Sequence, residues 1–387
     1  MVDIPRRACS EWPLGHGAVT VPASWIGPFV NVGGRASPLG GPERWKRYIP
    51  LVARTVVAAR FLPVWLATAV LAIIAALIAP AALGNASWAF VLPYMTILAV
   101  AALGQMLVIM QAGIDLSTPG VMFLGGNLVV GVGGGSDDRL ALAILACIGI
   151  GALVGFINGV LIGIVRLNPL IVTLAVGQIT LALGLKYSRG VTEDSDVPGA
   201  LSSGTAEKLL GISSVFWMGA ALTLAVALVL RYTATGRRFQ AVGANPRAAW
   251  MAGIHVRAHV VFAYTAAASL YGIAAVLLAG VRISVDPAFG AAYLLAPIAA
   301  VVIAGASLSG GLASATSTWV AALTLTLLTQ MLRILGLSTA MQFIVFGAAI
   351  IVGMLVSGDR VAVLLSRLLR PREPLPRDHH GVVETTS

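Results

Sequence analysis

The chain has 387 residues, of which 58% are hydrophobic and only 10% are charged. Soluble domains carry roughly 25% charged residues, so this composition excludes an ordinary soluble protein and indicates a polytopic membrane protein. Apolar runs of about 20 residues without period-2 alternation favour an all-α helical bundle over a β-barrel. Two cysteines, Cys9 and Cys147, predict no disulfide framework, because Cys147 lies inside an apolar run.

The two ends of the chain are polar and basic. Residues 1–58 are rich in Gly and Pro, and we expect a disordered cytoplasmic leader there, or a stretch upstream of the true start. The Arg6-Arg7 pair is not followed by an apolar segment, so we predict no cleavable signal peptide. Residues 359–387 predict a basic cytoplasmic tail, which leaves 59–358 as the transmembrane domain.

Ten apolar segments predict a bundle of about ten transmembrane spans. Most of them have the ~20 residues that a hydrocarbon core of about 30 Å requires, but the third and the eighth are short. The segments fall at 61–82, 88–110, 119–134, 140–165, 167–186, 212–230, 260–281, 291–304, 312–333 and 338–357.

Lysine and arginine predict the orientation, because these residues accumulate in cytoplasmic loops. With a cytoplasmic N-terminus, all but six of the 25 Lys and Arg residues fall on the cytoplasmic side. Ten spans then place the C-terminus in the cytoplasm as well. The net charge of +10 therefore reflects membrane topology, and we expect no nucleic-acid partner. The residues assigned to the outside are Arg139, Lys186, Arg189, Lys208, Arg282 and Arg333.

A long polar interruption, residues 231–259, separates two spans and carries five arginines and no acid. Asn245 is a good N-cap, Pro246 suits the first helical position, and Gly253 can end a helix in the left-handed conformation. The pattern predicts a helix from Pro246 to Ala252 of roughly 10 Å, far too short to cross a bilayer. Two interpretations stay open, a solvated connector or a docking element for a soluble partner.

The two short spans each border a similar glycine-containing break. Ala112-Gly-Ile-Asp-Leu-Ser117 precedes the third span, and Ala304-Gly-Ala-Ser-Leu-Ser309 follows the eighth. In secondary transporters such segments point to half-helices and a transport site. A chance match in a chain rich in Gly, Ala, Leu and Ser is the alternative.

Asp115 is an acid beside apolar spans, where an ionised carboxylate costs roughly 2.5–3.5 kcal/mol at the bilayer centre. One interpretation is structural. Ser117 or Thr118 caps the next helix, Pro119 takes its first position, and Asp115 lies beside its positive end. The other is contact with a substrate or a proton.

Further polar side chains fall within the apolar spans and could either line a polar path or form hydrogen bonds between helices. They are Gln105, Asn127, Asn158, Thr173, Gln178, Gln330 and Gln342. We assign Gln105, Asp115, Asn127, Asn158, Thr173 and Gln178 to a candidate substrate pathway.

Several kinds of chemistry lack their motifs. His255 and His259 have no third ligand nearby in the sequence, so we predict no metal site. Neither a nucleotide-binding P-loop nor a Gly-x-Ser-x-Gly elbow occurs, so we predict no cofactor and no enzymatic activity. ATP energy would have to come from another polypeptide.

Four ordered motifs carry a family resemblance. They are Gly113-Ile-Asp-Leu-Ser117, Asn168-Pro-Leu-Ile-Val-Thr-Leu174, Thr235-Gly-Arg-Arg-Phe-Gln-Ala-Val-Gly-Ala-Asn-Pro-Arg-Ala-Ala249 with Gly253-Ile254, and Ala299-Ala-Val-Val-Ile-Ala-Gly-Ala-Ser-Leu-Ser-Gly-Gly311. Over about residues 60–357 the chain resembles the permease subunits of bacterial ABC importers for monosaccharides, the ribose/xylose/galactose group. It departs from the family pattern at two places. At Thr118-Pro119-Gly120 the family usually has Val-Gly-Ser, and at Leu312-Ala313 it usually has Arg or Lys followed by Gly.

The resemblance implies an inner-membrane permease that moves a small-molecule sugar. Its implied partners are two ABC ATPase subunits, a periplasmic solute-binding protein and a second permease subunit, identical or not. The acidic 188–211 loop would be the target of the binding protein. The short cytoplasmic helix would be the coupling element. The residues implied for coupling are Gly243, Asn245, Pro246, Arg247, Ala249 and Gly253.

Other functions remain open at this point. A related permease could carry nucleosides, a furanose-like autoinducer or branched-chain amino acids. An ion-coupled secondary transporter would use Asp115 and no ATPase. A membrane-anchored scaffold would need neither.

Overall fold

The computed structural model describes residues 61–190, 197–282 and 290–357, and within these ranges the chain is almost entirely helical. The predicted leader 1–58, the tail 359–387 and the acids of the 191–196 stretch lie outside the described residues. The helices are α1 Phe61–Ile78, α2 Asn85–Met110, α3 Thr118–Gly133, α4 Leu140–Gly163, α5 Pro169–Ser188, α6 Gly199–Ala206, α7 Ser214–Tyr232, α8 Ala234–Ala244, α9 Pro246–Met251, α10 Val256–Arg282, α11 Ala296–Ile303, α12 Ala315–Ile334 and α13 Thr339–Ser357. Strands β1 Lys208–Leu209 and β2 Ile212–Ser213 form an antiparallel hairpin between α6 and α7.

Seven of the described helices are long and apolar enough to cross a membrane, namely α1, α2, α5, α7, α10, α12 and α4 together with the 3-10 turn before it. The predicted class, an all-α polytopic membrane protein, is therefore confirmed. The number of spans and the sides on which the termini lie stay predictions.

The two short predicted spans are short helices, and the segment that precedes the second lies against the start of the first. At 1.5 Å per residue, α3 is about 24 Å long and α11 about 12 Å, so neither crosses a bilayer on its own. A Cβ atom on Gly290, ahead of α11, would overlap the carbonyl oxygen of Pro119 at the start of α3. From there the helices diverge: α3 ends against Pro198, and the Gly311 N–H after α11 donates to the Met110 carbonyl oxygen (2.9 Å).

The centre of the bundle is made by α2 and α10, with α4 lying along α10. Three glycines of α4 let the two helices approach so closely that any side chain would collide. A Cβ atom would overlap the Ala268 carbonyl oxygen from Gly151 and the Tyr264 carbonyl oxygen from Gly155, and from Gly159 it would lie 2.7 Å from the Val261 Cα. These three glycines thus form a helix-packing surface on α4.

The observed elements differ most from the prediction in three places. The first helix stops at Ile78, because Pro80 begins a 3-10 turn and cannot continue the ladder. The eighth span shrinks to α11. The polar interruption contains a second helix, α8, that the sequence analysis missed. The Thr233 hydroxyl caps it by accepting from the Gly236 N–H (3.0 Å), and its apolar face buries Phe239.

The glycine face of α4 predicts a position-specific effect on stability. Replacing Gly155 by Leu forces α4 and α10 apart and should lower the free energy of unfolding by about 1–3 kcal/mol or more. The measurement is the thermal unfolding midpoint of the purified chain in detergent. Gly149→Leu is the matched control, because Gly149 has nothing within 4 Å of an added Cβ and the change in helix propensity is the same. Equal midpoints for the two variants would contradict this packing.

Candidate functional site

The break between α2 and α3, residues 111–117, is non-helical backbone inside the bundle, and side chains of the helices satisfy its polar groups. In the orientation that pairs both of its ends, the Gln105 amide donates to the Asp115 carbonyl oxygen (3.0 Å) and accepts from the Asp115 N–H (3.2 Å). The Leu116 N–H donates to the Thr173 hydroxyl oxygen (3.0 Å). The Gly113 N–H donates to the Val108 carbonyl oxygen (3.1 Å). Gln105 and Thr173 therefore stabilise the break by forming hydrogen bonds with its backbone.

The Asp115 carboxylate is buried and only half satisfied. Its Oδ1 accepts from the Ser117 N–H (2.8 Å) and from the Ser117 hydroxyl (2.6 Å). The Asn158 amide nitrogen in turn donates to the Ser117 hydroxyl oxygen (3.1 Å). Asp115 Oδ2, Asn158 Oδ1 and the Tyr264 hydroxyl are all buried without a hydrogen-bond partner among the described residues. Two free acceptors and a hydroxyl thus remain around the break. We call Gln105, Asp115, Ser117, Asn158, Thr173, Tyr264 and Tyr271 the polar cluster.

The structural interpretation of Asp115 made two predictions: that Ser117 or Thr118 caps α3, and that Asp115 lies beside the positive end of this helix. Ser117 stands at the N-cap position of α3, but its side chain makes no capping bond, so the predicted cap is wrong. The reason is that Ser117 has helical dihedral angles (φ −81°, ψ −8°) in place of the extended conformation of an N-cap residue. Asp115 does lie beside the start of α3, where it accepts from the Ser117 N–H.

Four of the six pathway candidates come together, and two do not. Gln105, Asp115, Asn158 and Thr173 lie in the polar cluster. Asn127 is buried on α3, but its amide donates to the Phe123 carbonyl oxygen one turn back (2.9 Å), and Gln178 is exposed on α5.

Two tyrosines of α10 were missed by the sequence analysis. Tyr271 lies 3.1 Å from the Gln105 amide, and a Cβ atom on Gly113 would overlap the Tyr264 hydroxyl. Their spacing of seven residues on one apolar helix could have indicated a shared inward face.

The predicted cytoplasmic helix is present as α9 and carries both predicted caps. The Asn245 side chain accepts from the Ala248 N–H (3.0 Å), and Pro246 occupies the first turn. Gly253 has φ +78°, and the Ile254 N–H donates to the Ala249 carbonyl oxygen (3.0 Å), which completes a Schellman ending.

Two large apolar side chains project from α9. Trp250 is 72% exposed and Met251 is 83% exposed, while Ala249 is buried. Arg247 is also exposed. An exposed tryptophan and methionine side by side form an apolar knob on an otherwise polar segment.

Helix α8, which precedes α9 in the chain, makes close contacts with the end of α2. The Gln111 amide donates to the Phe239 carbonyl oxygen of α8 (3.0 Å). A Cβ atom on Gly243 would overlap the Met110 carbonyl oxygen and lie 2.9 Å from the Gly311 nitrogen. Thus α8, the end of α2 and the turn after α11 meet without intervening side chains.

The two departures from the family pattern lie in the turn after α11 and in the first turn of α3. The tight turn that ends with Leu312 is closed by the Ser307 N–H donating to the Leu312 carbonyl oxygen (2.9 Å). The Leu312 side chain is 41% exposed beside this turn, so an apolar group stands where the family usually has a charge. Pro119 lies in the first turn of α3, which suits a residue without an N–H.

Comparison with known proteins gives consistent relatives. The family described as branched-chain amino acid transport system / permease component matches residues 87–354. A fructose import permease of Rhizobium meliloti is 30% identical over 273 residues, covering 69% of this chain and 76% of the relative. A ribose import permease of Escherichia coli K12 is 29% identical over 268 residues, covering 68% and 82%.

Further comparisons add one relative and one negative result. An L-arabinose ABC transporter permease of Azospirillum brasilense is 28% identical over 277 residues, covering 67% of this chain and 76% of the relative. No solved structure matches. The matched region contains every described helix from α3 to α12 together with most of α2 and α13. The chain therefore belongs to this permease-component family and is a transport subunit of the ABC importer type, not an enzyme.

Proposed function

We propose that this chain carries a monosaccharide across the bacterial inner membrane as the permease subunit of an ABC importer. One observation favours a sugar over the branched-chain amino acids of the family description: ribose, fructose and L-arabinose permeases are among the relatives. Among the described residues, the unpaired atoms of the polar cluster include the acceptors Asp115 Oδ2 and Asn158 Oδ1, which fit this solute class. Hydroxyl groups of a sugar are the donors that such acceptors require.

The proposed topology follows the charge distribution. It has ten spans and both termini in the cytoplasm, so that α8, α9 and the turn after α11 face the cytoplasm. The described residues support it by grouping these three elements at one end of α2, whereas Arg282 and Arg333 line a single cleft near the other end. Two ATPase subunits would then dock at the α9 end, and a periplasmic binding protein and a second permease subunit would complete the importer.

In the proposed mechanism, α9 receives the motion of the ATPase. The knob made by Trp250 and Met251 would enter a groove of the partner, and α8 would transmit the displacement to Met110 through the glycine contacts. Gln105 lies five residues from Met110 on the same helix, so α2 links the docking end to the break. A shift of α2 would alter the Gln105–Asp115 contact and rock the bundle between outward and inward access.

The proposed pathway passes the polar cluster. Asp115 Oδ2 and Asn158 Oδ1 are buried acceptors that have no partner in the part of the chain that the structure describes, and an unsatisfied buried polar group costs about 1–3 kcal/mol. Two hydroxyl groups of a passing sugar would relieve this cost. Gln105 and Thr173 would hold the break in place, while Asp115 and Asn158 would contact the solute.

The importer function itself predicts the source of energy. Membrane vesicles containing the assembled transporter should accumulate D-ribose, D-fructose or L-arabinose when ATP is supplied, with an uncoupler present throughout. Uptake that an uncoupler abolishes while ATP is held constant would contradict the ABC mechanism and favour an ion-coupled transporter.

The docking role of α9 predicts a selective loss of partner binding. Replacing Trp250 by Ala should weaken ATPase binding by about 2 kcal/mol or more, a roughly 30-fold loss of affinity, because exposed tryptophans dominate such interfaces. The measurement is binding of the purified ATPase to the purified chain. Leu210→Ala is the control, since Leu210 is 84% exposed in the hairpin far from α9. Unchanged binding by the Trp250 variant would exclude the knob from the interface.

The two possible roles of Asp115, contact with the solute or a purely structural role, predict different uptake by the Asp115→Asn variant. Asp115→Asn keeps an oxygen that can accept from Ser117 but places a donor at the Oδ2 position. If the free acceptor contacts the solute, ATP-driven uptake should fall about tenfold or more at an unchanged unfolding midpoint. Asn127→Ala is the control, because that amide bonds only within its own helix. Normal uptake by Asp115→Asn would leave Asp115 a purely structural residue.

A further inference from the structure

A cleft of about 570 Å³ lies between α2, the end of α10, the start of α11, α12 and α13. Its volume is within the range of small-molecule sites. The cleft is distinct from the polar cluster, and none of its lining residues was assigned to the pathway from the sequence. Its lining combines aromatic rings, two arginines and neutral polar groups, and the argument below uses Phe90, Tyr94, Thr326, Thr329, Arg333 and Gln342.

One wall of the cleft is formed by two stacked aromatic rings with an arginine close to one of them. The rings of Phe90 and Tyr94 lie 4.2 Å apart at an interplanar angle of 25°. The guanidinium carbon of Arg333 lies 4.4 Å from the centre of the Phe90 ring. A guanidinium that is attracted to an aromatic ring through its charge still has N–H donors that can bind oxygen atoms.

The opposite parts of the cleft supply neutral hydrogen-bonding groups. Thr326 and Thr329 come from α12, and Gln342 comes from α13. The Thr329 hydroxyl donates to the Leu325 carbonyl oxygen (2.8 Å), so its oxygen remains an acceptor. Among the described residues, the hydroxyls of Tyr94 and Thr326 have no hydrogen-bond partner. The described lining contains no Asp or Glu that would neutralise the ammonium group of an amino acid.

The floor of the cleft leads toward the polar cluster. Leu98 lines the cleft and lies seven residues from Gln105 on α2. Leu278 lines it as well and lies seven residues from Tyr271 on α10. A spacing of seven residues is two helical turns on one face, about 10 Å. The cleft and the cluster therefore follow one another along the same two helix faces.

We infer that this cleft is a binding site for a sugar ring, occupied before the solute reaches the polar cluster. The apolar face of the ring packs on the aromatic wall at Tyr94. Its hydroxyl groups bind the edge of Arg333, the threonines of α12 and Gln342. The inference rests on the proposed importer function for the identity of the solute, but the binding itself needs neither ATP nor the ATPase.

The test is protection of a cysteine in the cleft. In a Cys9→Ala, Cys147→Ala background, the Thr329→Cys chain is purified in nanodiscs and treated with a methanethiosulfonate reagent. D-ribose, D-fructose and L-arabinose are tested as protecting ligands, and L-leucine is tested as a representative of the branched-chain amino acids. At about ten times its dissociation constant, at least one sugar should slow modification about tenfold, whereas L-leucine should not. Ser202→Cys, in a second cavity lined by Trp88 and Lys208, should react at the same rate with or without sugar.

A second variant separates binding from a general effect of the sugar. Adding Tyr94→Ala should abolish the protection, while Trp88→Ala, an aromatic of α2 in the other cavity, should retain it. Protection by L-leucine alone, or equal protection at positions 329 and 202, would overturn the inference. ATP-driven sugar uptake without protection at position 329 would also overturn it and leave the proposed function standing. Protection without any ATP-driven uptake would support the site and refute the proposed function.

Discussion

The fold depends on one constraint: a non-helical backbone segment inside a membrane bundle must find all its hydrogen-bond partners within the protein. The break at residues 111–117 meets this constraint through side chains that would otherwise be costly in apolar helices. Gln105 pairs with both backbone groups of Asp115, and Thr173 accepts from Leu116. Polar residues in these spans are therefore first of all partners of the break, and function uses what they leave unpaired.

Glycine makes room for this arrangement. A Cβ atom on Gly177 would lie 2.9 Å from the Ser117 Cα, and one on Gly120 would overlap the Gly177 carbonyl oxygen. The break, α3 and α5 are thus in backbone contact, as α4 is with α10. Packing of this kind has no flexible side chains between the backbones that could absorb a displacement.

Helix α2 connects every site described above. Its last residue, Met110, meets α8 and the turn after α11, Gln105 holds the break, and Phe90 and Tyr94 form a wall of the cleft. A helix of 26 residues spans about 39 Å, enough to join the docking end to the opposite face of the membrane. An importer driven by an external ATPase needs such a rigid link between the motor and the solute.

Local chemistry determined much of this protein directly from the sequence. Apolar length determined the membrane class, and the residues Asn245, Pro246 and Gly253 determined α9, because capping involves only neighbouring residues. The four motifs determined the family. Breaks at the two short spans were also foreseeable from their Gly-containing sequences.

Only the tertiary structure decided which polar residues meet. Asn127 and Gln178 resemble Asn158 and Thr173 in sequence, yet they lie apart from the polar cluster, since helix rotation is set by packing against other helices. For the same reason the sequence did not show the contact of α8 with the end of α2, the contribution of Tyr264 and Tyr271, or the cleft, whose walls come from segments more than 200 residues apart in the chain. Local patterns specify helices and their ends, whereas a binding site is a property of the faces that those helices turn toward one another.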